Sequence, residues 1–118
     1  MKGLLSPLSV KRIPKKHWWN RQYYEFLRPM GYATKCGLMI IVPEGFITDF
    51  ATWIKPRGRY DVPTALHDFT YSKGLGRGFC DKIFKETMTR AGCSRARINL
   101  MYYGVRIFGW WNYYFGGK

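Results

Sequence analysis

The sequence predicts a small α+β domain: a β-hairpin, then a long loop, then a three-helix core. Three observations carry this. Tyr23–Leu27 and Leu38–Val42 are short runs rich in aromatic and β-branched residues, with Gly31 and Lys35-Cys36-Gly37 between them as turn chemistry. Further on, apolar residues recur at helical spacing in three stretches separated by glycines. The length, 118 residues at 47% hydrophobic, suits one modest core and not two.

Residues 1–20 read as a basic, Pro-punctuated N-terminal arm, either an electrostatic or interfacial clamp or a strand or arm packed on the domain by Trp18 and Trp19, and residues 21–118 as one α+β domain. Pro43-Glu44-Gly45 ends the second strand, because Pro cannot donate to a ladder. Asp49 lies in an apolar run, where a carboxylate commonly makes an N-cap or Asx-turn. A Gly/Pro-broken loop, Lys55 to Val62, follows. The first helix is expected over Pro63–Lys73, with Pro63 at its first position and Asp61 or Val62 at the cap. The second is expected over Cys80–Ala91, with Asp81 in its first turn and Gly92 as its stop. Ser94 caps a third, to about Gly109, before the aromatic tail Trp110–Phe115.

Twenty Lys and Arg against seven acids leave a net charge of +13, a field that favours nucleic acid, anionic lipid or a polyanionic assembly. Cys36, Cys80 and Cys93 are odd in number and lack CxxC spacing, which argues against a disulfide framework and a zinc ribbon. No export signal is visible, and the aromatic stretch Leu100–Phe115 is short for a membrane span. A soluble protein made in a reducing cytoplasm is expected.

The chemistry centres on Leu66-His67-Asp68-Phe69-Thr70-Tyr71. On a helix His67 and Tyr71 share one face, while Asp68 points about 100° away. Nucleophilic triads, HExxH zinc sites and phosphate loops leave no trace in the chain. What remains suits hydrolysis by an activated water. His67 would be the base, Asp81 the carboxylate that fixes its tautomer, and Asp49 and Asp68, with loop carbonyls, the holders of a cation. Oxygen ligands alone favour Ca²⁺ over zinc. The alternative is a buried hydrogen-bond network of His67, Asp68 and Asp81 that clamps two helices.

His67-Asp68-Phe69-Thr70-Tyr71, followed by Asp81, Phe84, Met88 and Cys93, resembles the core of secreted phospholipase A2, most closely its short microbial and fungal branch. The resemblance spans about residues 45–93. It implies a phospholipase A2-like helix pair in which His67 activates water, Asp68 binds Ca²⁺, Asp81 and Tyr71 orient His67, and Asp49 lies in the calcium loop. Those enzymes are disulfide-linked and have a glycine-rich calcium loop, of which only Gly58 is represented here.

The whole chain is more similar to an uncharacterised family common in bacteriophages and prophages. Its pattern Val-Pro-x-Gly-Phe-x-Thr-Asp-x-Ala, Leu-His-Asp-x-x-Tyr and Asp-x-x-Phe stands here at Val42–Ala51, Leu66–Tyr71 and Asp81–Phe84. That resemblance implies a phage context, made in the host cytoplasm and incorporated in a virion. Two functions follow as expectations. One is a Ca²⁺-dependent lipid or ester hydrolase at an anionic membrane surface. The other is a non-enzymatic tail, neck or capsid-associated component that meets other virion subunits. DNA binding is the weaker expectation, because no helix-turn-helix, RRM or zinc-finger signature is present.

Overall fold

The computed structural model describes residues 1–20, 22–50, 58 and 60–103. In chain order its elements are β1 (Val10–Arg12), β2 (Tyr24–Phe26), β3 (Met30–Ala33), β4 (Met39–Val42), β5 (Ile47–Thr48), α1 (Asp61–Ser72) and α2 (Arg77–Arg90). A third helix, α3, occupies residues 95–103, where the described residues end. The class is α+β: small antiparallel sheets with three helices.

Strand pairing departs from the expected hairpin. Tyr23–Leu27 does not pair with Leu38–Val42. Instead β3 pairs with β4 in the register Met30↔Val42 through Ala33↔Met39. The Thr34–Leu38 turn closes them, with Gly37 at φ 95°, a backbone region that glycine enters without strain. Gly31 is no turn residue; it lies inside β3, under Leu5. β2 is the centre of a separate three-stranded sheet, β1-β2-β5, with Tyr24 opposite both Arg12 and Thr48. Local composition identified strand-forming residues but not their partners, because pairing is decided by which face reaches the core.

That core joins every layer. Tyr24 and Phe26, Met30 and Tyr32, Ile40 and Val42, then Phe50, Ala65, Leu66 and Ile83 form one buried cluster. Fully burying a side chain such as Leu66 contributes roughly 2–3 kcal/mol. A second cluster, Phe84, Met88 and Ile98, packs α2 on α3.

The first two helices begin earlier than expected. α1 opens at Asp61, so Pro63 falls inside the first turn, where its missing N–H costs nothing. Asp61 Oδ1 accepts the Gly58 amide at 3.0 Å. α2 opens at Arg77 and not at Cys80, which moves Asp81 from the first turn to the second. Its stop is as expected, with Gly92 at φ 84° just beyond the Ala91 cap. Ser94 Oγ accepts the Arg97 amide at 3.3 Å, which starts α3. The stretch from Gly104 to Gly109, the aromatic tail and half of the Lys55–Val62 loop lie outside the described residues.

The arm is attached differently from the expectation. β1 joins the sheet, and Leu4, Leu8 and Val10 pack against the core. Trp18 and Trp19 do not pack on the domain; they are 83% and 63% exposed. Gly3 brings the N-terminal backbone close to α2. A Cβ there would meet Arg90 Nη1 at 2.5 Å and the Ala33 carbonyl at 2.6 Å. Arg90 in turn donates to the Ala33 carbonyl at 3.0 Å and to the Tyr32 hydroxyl at 3.1 Å.

Candidate functional site

α1 presents Ala65, Leu66 and Thr70 to the core, which rolls His67 toward α2 and Asp68 toward the sheet. The buried Thr70 hydroxyl returns to the Leu66 carbonyl at 2.8 Å, so it brings no unsatisfied group into the helix interface. α2 buries Cys80, Asp81, Ile83 and Phe84 on the facing side. Between these two surfaces, His67 Nε2 meets Asp81 Oδ1 at 2.9 Å.

The environments of the two partners differ. The Asp81 side chain is 2% exposed, and that of His67 14%. A carboxylate can only accept, so Nε2 carries the shared proton, and in the neutral imidazole the lone pair is left on Nδ1. Among the described residues Nδ1 has no hydrogen-bond partner. The imidazole is held on its sides by rings, Phe84 at 5.4 Å and Tyr71 at 6.0 Å between centroids. Tyr71 was expected to orient His67. It lies alongside as a ring contact, 37% exposed, and its hydroxyl makes no hydrogen bond among the described residues.

Asp68 faces β5. Its Oδ2 accepts the Thr48 hydroxyl at 2.6 Å, while Thr48 Oγ1 itself accepts the Phe50 amide at 3.2 Å. The Thr48 hydroxyl thus takes part in the turn after β5, and the amides of residues 51–57, with which an Asp49 turn or cap would be made, lie outside the described residues. Phe50 follows with φ 51°, a left-handed conformation that is unfavourable for a bulky side chain. Its ring is fully buried and lies 5.3 Å from that of Tyr24, which holds the conformation in place. Asp49, half-buried, thus sits between the hydroxyl that binds Asp68 and a strained turn.

Carboxylates and a hydroxyl on β5 and α1 are oxygen donors of the class Ca²⁺ takes. Loop carbonyls were expected to complete the shell, and residues 51–57, which follow Asp49 and Phe50, lie outside the described residues. Among the described residues no three His, Cys, Asp or Glu side chains are grouped to hold a metal. Cys80, next to Asp81 in sequence, is not poised as a nucleophile, because burial pushes its thiol up. Cys36, Cys80 and Cys93 form no disulfide among the described residues.

A family model described as Protein of unknown function (DUF1353) matches residues 24–105. The chain belongs to this family. No curated protein and no solved structure matches it.

The DUF1353 match begins at β2 and takes in Thr48, Asp49, His67, Asp68, Tyr71 and Asp81, whereas β1 and the loop after it lie before its first residue. Within the DUF1353 region, sequence reasoning overlooked Thr48. Thr48 precedes Asp49 within the Val42–Ala51 pattern, and its hydroxyl makes the contact to Asp68. Sequence reasoning also overlooked a network behind the site. Glu86 accepts the Tyr32 hydroxyl and, at 3.1 Å, the Lys35 amide, while Arg90 donates to the same Tyr32 oxygen. Burial first, then Glu86, pushes the Tyr32 phenol well above its ordinary range. Nothing local in Tyr32, Glu86 or Arg90 announces a contact across more than fifty residues.

Proposed function

We propose that this chain is a hydrolase in which His67 acts as general base on a water, with esters, lipid esters among them, as the substrate class. One observation carries the reading: His67 Nε2 is bound to a buried carboxylate, while Nδ1 keeps its lone pair and has no partner among the described residues. A structural histidine gains most by using both nitrogens. A base needs one nitrogen fixed and the other open.

In the proposed step, Nδ1 removes a proton from water as its oxygen attacks the ester carbonyl carbon. Asp81, 2.9 Å from Nε2, stabilises the resulting imidazolium. Collapse of the tetrahedral centre breaks the bond to the leaving alkoxide, which takes the proton back from Nδ1. Asp68 and Asp49 are the proposed ligands of Ca²⁺, which would polarise the carbonyl when bound. The strained turn at Phe50 supports this location, since such strain gathers at functional sites. The phospholipase A2-like helix pair and the phage context remain part of this reading, with an anionic membrane surface as the partner.

The second reading is a non-enzymatic virion component, made in the host cytoplasm. It is favoured by Met39 and Ile41, exposed side chains on β4, which among the described residues has only β3 as a sheet neighbour. An apolar edge strand suits pairing with a neighbouring subunit, of a tail or capsid for example.

The test uses wild type and His67→Gln, with ester or lipid hydrolysis and melting temperature measured on both. The hydrolase reading expects activity in the wild type only, at similar melting temperatures. An inactive wild type together with a variant melting several degrees lower sinks it in favour of the scaffold.

A further inference from the structure

The β1–β2 connection is the part of the molecule that the site does not explain. Its strand ends are tied at Arg12↔Tyr24 and by the Ile13 amide on the Tyr23 carbonyl at 2.9 Å. Gln22 Nε2 donates to the Ile13 carbonyl at 2.7 Å. At the apex the His17 amide donates to Asn20 Oδ1 at 2.9 Å, and Lys15 Nζ reaches the Trp18 and Asn20 carbonyls at 3.3 and 3.5 Å. So many internal bonds make the loop a pre-formed projection.

What it projects is unusual for a surface. Trp18 and Trp19 are edge to face at 5.7 Å, and His17 stacks on Trp19 at 4.3 Å. Both indoles are largely exposed, and neither N–H has a protein partner among the described residues. Below them a groove of about 510 Å³ is lined by Ile13, Pro14, Lys16, Trp19 and Tyr23 among others. The charge is mostly of one sign: Lys2, Lys11, Arg12, Lys15, Lys16 and Arg21 precede the first acid in the chain, Glu25, which pairs with Lys11 at 3.7 Å. Adjoining tryptophans at a tip, with lysines behind them, match an anionic lipid interface. There the indole rings sit at headgroup depth and the ammonium groups meet lipid phosphates. A base-stacking platform would instead offer open ring faces along a cationic track. Here His17 already covers Trp19.

The loop also sits at the site's end of the sheet. Tyr24, where the loop returns to the sheet, is paired with Thr48, and Thr48 binds Asp68 beside His67. We propose that the turn from Ile13 to Asn20 is an interfacial anchor, in which Trp18, Trp19 and Lys16 seat this end of the molecule on anionic phospholipid. The binding stands on the loop alone; its purpose, delivering His67 to substrate in the bilayer, rests on the hydrolase reading.

The experiment is co-sedimentation with phosphatidylglycerol vesicles and with phosphatidylcholine vesicles, read together with tryptophan emission. Wild type is expected to bind the anionic vesicles, with a blue shift, and to lose binding in high salt. Trp18→Ala/Trp19→Ala should weaken binding at least tenfold and Lys16→Glu at least threefold, at unchanged melting temperature. Lys15 is left alone because it holds the turn. His67→Gln should bind like wild type, which separates the two readings: binding without any hydrolysis removes the hydrolase and keeps the anchor. Hydrolysis with undiminished binding by the double tryptophan variant does the reverse. Equal binding to both vesicle types overturns the anchor. So does a single-stranded oligonucleotide that binds more tightly than vesicles and depends on Trp18 and Trp19.

Discussion

His67 and Asp68 are consecutive residues held by different neighbours. His67 meets Asp81 of α2 at 2.9 Å, while Asp68 accepts the hydroxyl of Thr48 on β5 at 2.6 Å. One step along a helix turns a side chain by about 100°, and that rotation lets a single dipeptide tie α1 both to α2 and to the sheet. Either bond can be removed alone, so the contributions of site and scaffold can be separated by substitution.

Asp81→Asn keeps an acceptor for the His67 Nε2 proton but removes the charge that stabilises an imidazolium. Hydrolysis should therefore fall by about 10²-fold or more while melting changes little. Asp81→Leu removes the acceptor as well and leaves a buried donor unpaired, at a cost of about 1–3 kcal/mol. Thermal melts and initial rates on the two variants check this. Equal losses of stability in both, without a difference in rate, would make the pair a clamp only.

Asp68 gives a readout independent of turnover. Calorimetry should detect Ca²⁺ binding that Asp68→Asn weakens at least tenfold, or about 1.4 kcal/mol. No heat at millimolar Ca²⁺ would leave Asp49 and Asp68 as parts of the β5–α1 connection.

Tyr32 predicts an alkaline limb. Its phenol is raised in the folded state above the ordinary value of 10.0, so the folded protein favours the protonated form. The associated stability is fully present below pH 10 and is lost as pH climbs from there toward the folded-state value. Denaturant midpoints of wild type should thus fall more steeply above pH 10 than those of Tyr32→Phe. Parallel curves would show that Tyr32 does not carry the effect.

Gly3→Ala tests the N-terminal attachment. The added methyl would meet Arg90 and the Ala33 carbonyl at less than van der Waals distance, on a backbone at φ 87°. A loss of about 1–3 kcal/mol in chemical denaturation is expected. An unchanged midpoint would mean that the first residues do not bear on α2.

The helical half of the molecule was legible in the sequence. Ile83, Phe84, Thr87 and Met88 at helical spacing, Gly92 as a stop and Ser94 as a cap are local signals, and all act as read. The shared face of His67 and Tyr71 follows from the same periodicity, as did the expectation that His67 and Asp81 face each other. Strand partners, the Thr48–Asp68 bond, the Tyr32–Glu86–Arg90 network and the outward tryptophans were decided only by the tertiary structure. A helix closes its hydrogen bonds within four residues, so its own sequence describes it. A strand, a buried carboxylate or an exposed indole takes its state from residues that are distant in the chain. Those come close only when the whole core, from Tyr24 to Ile83, buries its apolar surface together.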